Sequence, residues 1–201
     1  PEFSRRSLEI LRQPLEDKVI RISRVYGTYD FPADFMLCAA MNPCPCGHYP
    51  DMNRCRCTPA QVMQYLGRIS QPLLDRLDLC AEVSPVDFEG LSSGRKGEST
   101  QTIRERVICA QDIQRERYKI EGIQFNGELS GAQIEKYCKM EKDARQLLKM
   151  AFQNMPFSAR AYHRILKVAR TIADMEATES IHRHHIAEAL SYRAFDKKYW
   201  N

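Results

Sequence analysis

The sequence predicts an α/β segment over residues 1–90, followed by an all-helical segment over 91–201. Three observations carry that reading. The run Phe35-Met-Leu-Cys-Ala-Ala-Met41 is apolar without alternation, the pattern of a strand buried on both faces of a parallel sheet. Residues Pro85 to Gly97 are polar and glycine-containing, which reads as a linker. From Ser99 onward, apolar residues recur at spacings of three and four, as on one face of a helix. The chain has 201 residues, 43% of them apolar, enough to bury a core.

The elements follow in order. Ser4 caps a short helix in which Leu8 and Leu11 share a face, and Pro14 is expected to end it. Lys18 to Arg24 alternates, with Ile20 and Ile22 on one side and Val19, Arg21 and Ser23 on the other. Gly27 marks a turn, and Thr28 to Phe31 returns, giving a hairpin with a basic face. That face also suits an ordinary solvated strand. Asn42-Pro43 ends the buried run, and a loop rich in Cys, Pro and Gly reaches Thr58. Thr58-Pro59 starts a helix to about Leu66, with Thr as cap and Pro in the first turn. Ser70 starts another, ending near Arg76, and Leu77 to Val83 reads as a further strand. The sheet is therefore expected to be parallel, with the hairpin as a separate element.

The helical segment begins with Ile103, Val107, Ala110 and Ile113 on one face. Ser130 caps a second helix through Tyr137. Leu147, Leu148, Ala151 and Phe152 mark a third. Ser158 caps a fourth, with Tyr162, Ile165, Leu166, Ala169, Ile172 and Ala173 on its apolar side. Ser180 is expected to cap a fifth, with Ile181, Ile186, Ala189 and Leu190 turned inward.

Composition narrows the function classes. Charged residues of both signs make up 28% of the chain, and the net charge is +4. That composition suits a globular protein rather than a disordered one, and it permits nucleic-acid contact without requiring it. No apolar run is long enough to span a bilayer, and no signal peptide opens the chain, so no membrane association and a cytoplasmic setting are expected. The first residue is Pro1 rather than Met, which predicts a fragment or a processed piece.

Four of the eight cysteines fall within apolar stretches. The other four form two Cys-x-Cys pairs, Cys44/Cys46 and Cys55/Cys57, separated by eight residues. Four thiolates that close in sequence suit a tetrahedral, structural zinc ion, and Pro45, Gly47 and Pro50 let the chain turn between them. Reduced, unliganded thiols and a disulfide are the competing readings, and His48 is an alternative ligand.

Three polar residues are candidates for reading nucleotide. Asn42 follows directly on the apolar run, and ligands of open α/β sheets bind beyond the carboxyl ends of the strands. An Asn there can orient a water against a phosphate. It equally suits the turn before Pro43. Arg76 stands between a short helix and a predicted strand, either paired with Asp75 or Asp78 or reaching a neighbouring subunit's nucleotide as an arginine finger. Arg160 lies two residues after the cap Ser158, where a cation opposes the helix dipole unless an anion is near. Arg164 and Lys167 continue that side, either as a solvated basic face or as phosphate contacts.

Four blocks in order resemble one family: Pro1-Glu-Phe-Ser-Arg-Arg-Ser-Leu-Glu-Ile-Leu-Arg-Gln-Pro-Leu-Glu16, Ala39-Ala-Met-Asn-Pro-Cys-Pro-Cys-Gly47, Ser70-Gln-Pro-Leu-Leu-Asp-Arg-Leu-Asp78 and Ser158-Ala-Arg-Ala-Tyr-His-Arg-Ile-Leu-Lys-Val-Ala-Arg-Thr-Ile-Ala-Asp174. They are similar to the magnesium-chelatase-like AAA+ ATPases of the ComM/YifB type. The resemblance implies an incomplete AAA+ core over 1–90 and a helical lid over 91–201. It implies a sensor-1 role for Asn42, an arginine finger at Arg76 and a sensor-2 role for Arg160. It places the hairpin around Lys18 to Phe31 where related ring helicases line a central pore. It implies ATP and Mg²⁺ as cofactors of a longer parent, identical subunits in a hexameric ring, and DNA as the partner. The implied activity is ATP-driven branch migration in competence and recombination. A non-catalytic zinc-stabilised adaptor and a porphyrin-chelatase motor subunit are the alternative readings.

One departure is plain in the sequence. The chain carries no G-x-x-x-x-G-K-[ST] loop. The nearest stretch, Gly90-Leu-Ser-Ser-Gly94-Arg-Lys-Gly97, follows Lys96 with Gly rather than Ser or Thr. The family's acidic pair would lie just upstream of Pro1. Without those groups the chain alone is not expected to hydrolyse ATP.

Overall fold

A computed structural model describes residues 1–83, 88, 92, 97–155 and 157–193. The glycine-bearing stretch from Gly90 and the expected boundary at residue 90 fall outside the described residues, Ser92 and Gly97 apart. The chain is mixed α/β and forms two compact units, the first spanning Pro1–Leu77 and the second beginning at Asp78.

The first unit opens with α1 (Arg5–Ile10) and α2 (Arg12–Asp17). Ser4 caps α1, its hydroxyl accepting the Ser7 N–H at 3.1 Å. Pro14 does not end this helix as expected: it lies inside α2. Pro14 has no N–H for the Ile10 carbonyl and its ring crowds that group, so the break falls one turn earlier, at Leu11. Lys18 then adopts a left-handed φ of 56° and caps α2, its N–H bonding the Pro14 carbonyl.

The hairpin forms as expected. β1 (Val19–Arg24) pairs antiparallel with β2 (Gly27–Pro32), and Arg24 faces Gly27 across the two-residue loop Val25-Tyr26. Ile20 faces Phe31 and Ile22 faces Tyr29, so four apolar side chains share one face of the ribbon, and all four are exposed. On the other face Arg21 makes a two-pronged pair with Asp30, at 2.8 and 2.9 Å. The basic face is therefore partly neutralised from within.

The two predicted parallel strands are not formed. Phe35–Met41 and Leu77–Val83 lie outside regular structure, with Met36 91% and Val83 88% exposed. Among the described residues the only sheet is the two-stranded hairpin. The reason is physical. A helix satisfies its own backbone, whereas a strand needs a neighbouring strand, and among the described residues neither run pairs with one.

Helix α3 (Pro59–Leu66) starts as expected. Thr58 Oγ1 accepts the Gln61 N–H at 3.3 Å, and Gln61 Oε1 accepts the Thr58 N–H at 2.9 Å. Ser70 caps α4 (Gln71–Leu74), which buries Leu73 and Leu74.

The second unit is helical: α5 (Thr100–Arg117), a 3₁₀ turn (Asn126–Glu128), α6 (Gly131–Tyr137), α7 (Lys142–Asn154), α8 (Ala159–Met175) and α9 (Arg183–Ser191). Ser99 and Ser158 cap α5 and α8 through their hydroxyls, at 3.1 and 3.2 Å. Tyr118, Ile134, Leu148, Ile165, Leu166, Ala169, Ala173, Ile181 and Ile186 form the core. Ile103 and Val107, expected to face inward, are exposed, and α5 buries only Ala110 and Gln114. The cap of α9 is His182 rather than Ser180. The chain at Ile181 is extended and bridges Met140, so the helix starts two residues later than expected.

Candidate functional site

Two of the sequence-predicted features meet in the loop between β2 and α3. Cys44 is fully buried against Val62, Tyr65 and Leu66, and Cys46, Cys55 and Cys57 pack around it. The loop thus sits on the buried face of α3, where the well-capped helix gives it a firm base. The sulfurs lie 3.4 Å (Cys44–Cys46), 3.6 Å (Cys46–Cys55) and 3.8 Å (Cys44–Cys55) apart. All four lie within 4.8 Å of one another, and the group contains no His48. Tetrahedral zinc with Zn–S near 2.3 Å requires sulfurs about 3.8 Å apart. The geometry fits such an ion with modest adjustment.

The chemistry of the donor set fits as well. The His48 and Arg56 N–H groups stabilise the Cys46 thiolate and hold its pKa down to about 6. The Tyr49 N–H donates to Cys44 Sγ at 3.4 Å. Burial, together with the neighbouring thiols, pushes Cys57 up. Four thiols this close resist ionising together, and a divalent cation removes that conflict.

Asn42 stands over this loop. Gly47 has φ +80°, a conformation that favours glycine, and a Cβ built there would lie 3.8 Å from the Asn42 carboxamide carbon. The cysteine loop therefore sets the surroundings of Asn42. Asn42 does not follow a strand, because the run before it is not one.

Arg76 lies in the same unit and is engaged elsewhere. Its Nη2 bonds Glu16, its Nε donates to the Arg12 carbonyl at 3.0 Å, and its Nη1 donates to the Pro72 carbonyl at 2.7 Å. The carboxylate it meets is thus on α2, not the expected Asp75 or Asp78. Asp75 accepts from Gln71 at 3.2 Å, and Asp78 pairs with Arg164.

Arg160 belongs to the second unit, exposed in the first turn of α8. The two cations that follow it are committed within that unit. Arg164 pairs with Asp78, and Lys167 donates to the Gly127 carbonyl at 2.9 Å. Burial, with Arg164 nearby, lowers the Lys167 pKa. A continuous phosphate-facing basic stripe is therefore not present on α8.

Two constellations escaped the sequence reading. Asp174, buried in the second unit, accepts from Arg117, Arg170 and Asn126. Two of these three partners, Arg117 and Asn126, lie 57 and 48 residues away, beyond any local signal. The other is Glu176 with His184 and His185, whose Nε2 atoms each lie 2.9 Å from Glu176 Oε2. The tract His182-Arg-His-His185 was a visible cue. His185 Nδ1 accepts the His182 N–H at 3.0 Å, so the ring proton sits on Nε2 and is donated to Glu176. That arrangement caps α9 and opposes a metal at Nε2.

Comparison with known proteins gives the family. The profile "Magnesium chelatase, subunit ChlI" matches residues 1–91, and "Magnesium chelatase, subunit ChlI C-terminal" matches residues 97–193. The uncharacterized protein YifB of Salmonella typhimurium is 46% identical over 199 residues, covering 98% of this chain and 38% of that protein. The competence protein ComM of Haemophilus influenzae is 45% identical over 195 residues, covering 96% of this chain and 37% of that protein. The uncharacterized protein YifB of Escherichia coli is 43% identical over 199 residues, covering 98% and 38%. The chain thus spans less than two-fifths of the length of these relatives. With both profiles matched in order and identity sustained along nearly all of its length, the chain belongs to the magnesium-chelatase-like family that includes YifB and ComM.

Proposed function

We propose that this chain is the part of a ring-forming AAA+ ATPase that reads and responds to nucleotide, within a longer parent that moves DNA at the expense of ATP. The observation that carries the reading is the 45% identity to a protein named for competence, over 96% of this chain. Uptake and recombination of DNA are the processes that such a name points to.

In this reading the parent's phosphate loop and acidic pair hold ATP and Mg²⁺, and this chain contributes three polar groups. Asn42 orients water against the terminal phosphate. Arg76 neutralises charge that develops on the phosphoryl group held by a neighbouring copy. Arg160 contacts phosphate from the helical unit. The two apolar runs Phe35–Met41 and Leu77–Val83 become strands once a neighbouring stretch of the parent supplies partners. Zinc, supplied to the loop as a structural ion, closes Cys44, Cys46, Cys55 and Cys57 with no open coordination position. The chain alone does not hydrolyse ATP, because it has no phosphate loop.

The test is ATP turnover by the full-length parent, with and without DNA, beside its Arg76→Ala form. Turnover that rises with DNA and falls about 10³-fold without Arg76 supports the reading. A parent that neither turns over ATP nor binds DNA would sink it. A second reading, a chelatase motor subunit, is favoured by the two matching profiles, both of magnesium chelatase subunit ChlI. Binding of the parent to a tetrapyrrole-bearing partner protein separates that reading from the first.

A further inference from the structure

Arg76 is the candidate phosphate-reaching residue, yet its side chain is only 9% exposed and each of its three nitrogens donates within its own chain. Nε and Nη1 hold the carbonyls of Arg12 and Pro72, and Nη2 holds the Glu16 carboxylate. Both Arg12, through its backbone carbonyl, and Glu16, through its side chain, belong to α2. Beside the guanidinium lies an open cavity of about 360 Å³, lined by Glu9, Arg12, Gln13, Glu16, Asp17 and Arg76. The cavity gives the side chain a way out of its seat. Two of its three partners are neutral carbonyls. Glu16 alone among those three carries charge, so it is the partner whose removal most weakens the seat.

We propose that Glu16 stows Arg76 against α2, and that exchange of this carboxylate for a phosphate on a second copy of the protein is the step that brings Arg76 into use. The proposal rests on the reading of Arg76 as a phosphate-reaching arginine. With only 9% of its side chain exposed, Arg76 must leave this seat to reach a phosphate on a second copy, so stowing and ring engagement compete. No covalent step is involved. A triphosphate on the neighbour offers more negative charge and more acceptor oxygens than Glu16, which gives the exchange its direction. Glu16 is accordingly a positioning residue, acting through Arg76 and touching no substrate.

The experiment measures ATP turnover by the full-length parent against protein concentration, for the wild type, Glu16→Gln, Arg76→Ala and the double variant. Glu16→Gln keeps the size of the side chain and removes its charge. The protein concentration giving half-maximal turnover is expected to fall about tenfold, the size set by converting one charge-assisted hydrogen bond to a neutral one. The double variant should match Arg76→Ala, because the latch acts only through Arg76. An unchanged or raised half-maximal concentration in Glu16→Gln overturns the proposal, as does a lowered kcat, which would mean that Glu16 presents Arg76 rather than stows it. If Arg76→Ala turns over normally, the underlying reading of Arg76 fails, and that outcome is distinct from failure of the latch. Should Glu16→Gln fold poorly, Glu16→Asp retains the charge on a shorter arm and should shift the half-maximal concentration the same way, to a smaller extent. No shift in a folded Glu16→Asp protein then counts against the proposal.

Discussion

Asp174 and Arg117, 57 residues apart in sequence, form an ion pair in which the Asp174 side chain is fully buried. Arg170, also buried, shares the same carboxylate, as does Asn126 Nδ2 at 2.8 Å. The network ties α5, the 3₁₀ turn and α8 together. Replacing Asp174 with Ala leaves two guanidinium groups without their shared counter-charge, one of them buried. Breaking a buried pair from one side costs about 3–5 kcal/mol. That is a large part of the roughly 5–15 kcal/mol that holds a domain folded. Asp174→Ala should therefore lower the melting temperature of the helical unit severely, as followed by far-ultraviolet circular dichroism. A melt indistinguishable from wild type would refute the structural role given to this network.

The same network shows where sequence reading stops. Ser4, Thr58, Ser70 and Ser158 were all legible as helix starts, because a cap and the N–H it satisfies lie within three residues of each other. The hairpin was legible because alternation and a short loop fix its register locally. The cysteine cluster was legible from spacing alone. Phe35–Met41 and Leu77–Val83 were misread because an apolar run encodes a preference for burial, whereas a strand also needs a partner that the run cannot name. The Glu16 partner of Arg76 was missed for the same reason, being 60 residues away. Ser180 was misread as a cap because the bridge between Ile181 and Met140 is a tertiary contact that delays the helix.

The cysteine loop predicts its own metal content. Purified chain analysed for metals should carry one zinc per molecule, and Cys46→Ser should lose most of it. A strong chelator should expose the loop to protease while leaving the helicity of the second unit intact, because few apolar contacts hold the loop apart from those around Cys44. Metal-free protein with four titratable thiols and an unchanged digestion pattern would remove the zinc assignment.

Glu121 gives a pH-dependent contribution whose sign can be worked out. Lys136, Tyr137 and Gln133 all donate to its carboxylate, and they hold its pKa down to about 2. A carboxylate depressed in the folded state stabilises fully above its unfolded pKa, about 4.3, and that contribution is lost as pH falls toward the folded value. Denaturant unfolding of the wild type should therefore lose part of its stability between about pH 4.5 and pH 2. Glu121→Gln should show a shallower fall across the same window. Parallel pH curves for the two proteins would show that these hydrogen bonds do not persist in solution.

Arg160 and Arg164 stand one turn apart on α8, yet they should answer differently to the same substitution. Arg164 pairs with Asp78, whose side chain is 58% exposed, and a pair that open to solvent contributes about 0–1 kcal/mol. Arg164→Ala should therefore shift the melting temperature slightly and leave nucleotide handling almost unchanged. Arg160 is exposed in the first turn of α8, next to the helix N-terminus that Ser158 caps. A cation there is electrostatically unfavourable by several tenths of a kcal/mol, and a bound phosphate would reverse that penalty. In the full-length parent, Arg160→Ala should weaken nucleotide-coupled turnover while lowering the melt of the helical unit far less than Asp174→Ala does. Unchanged turnover would strip Arg160 of its phosphate contact. A melt lowered as far as that of Asp174→Ala would instead mark it as a structural residue of the helical unit.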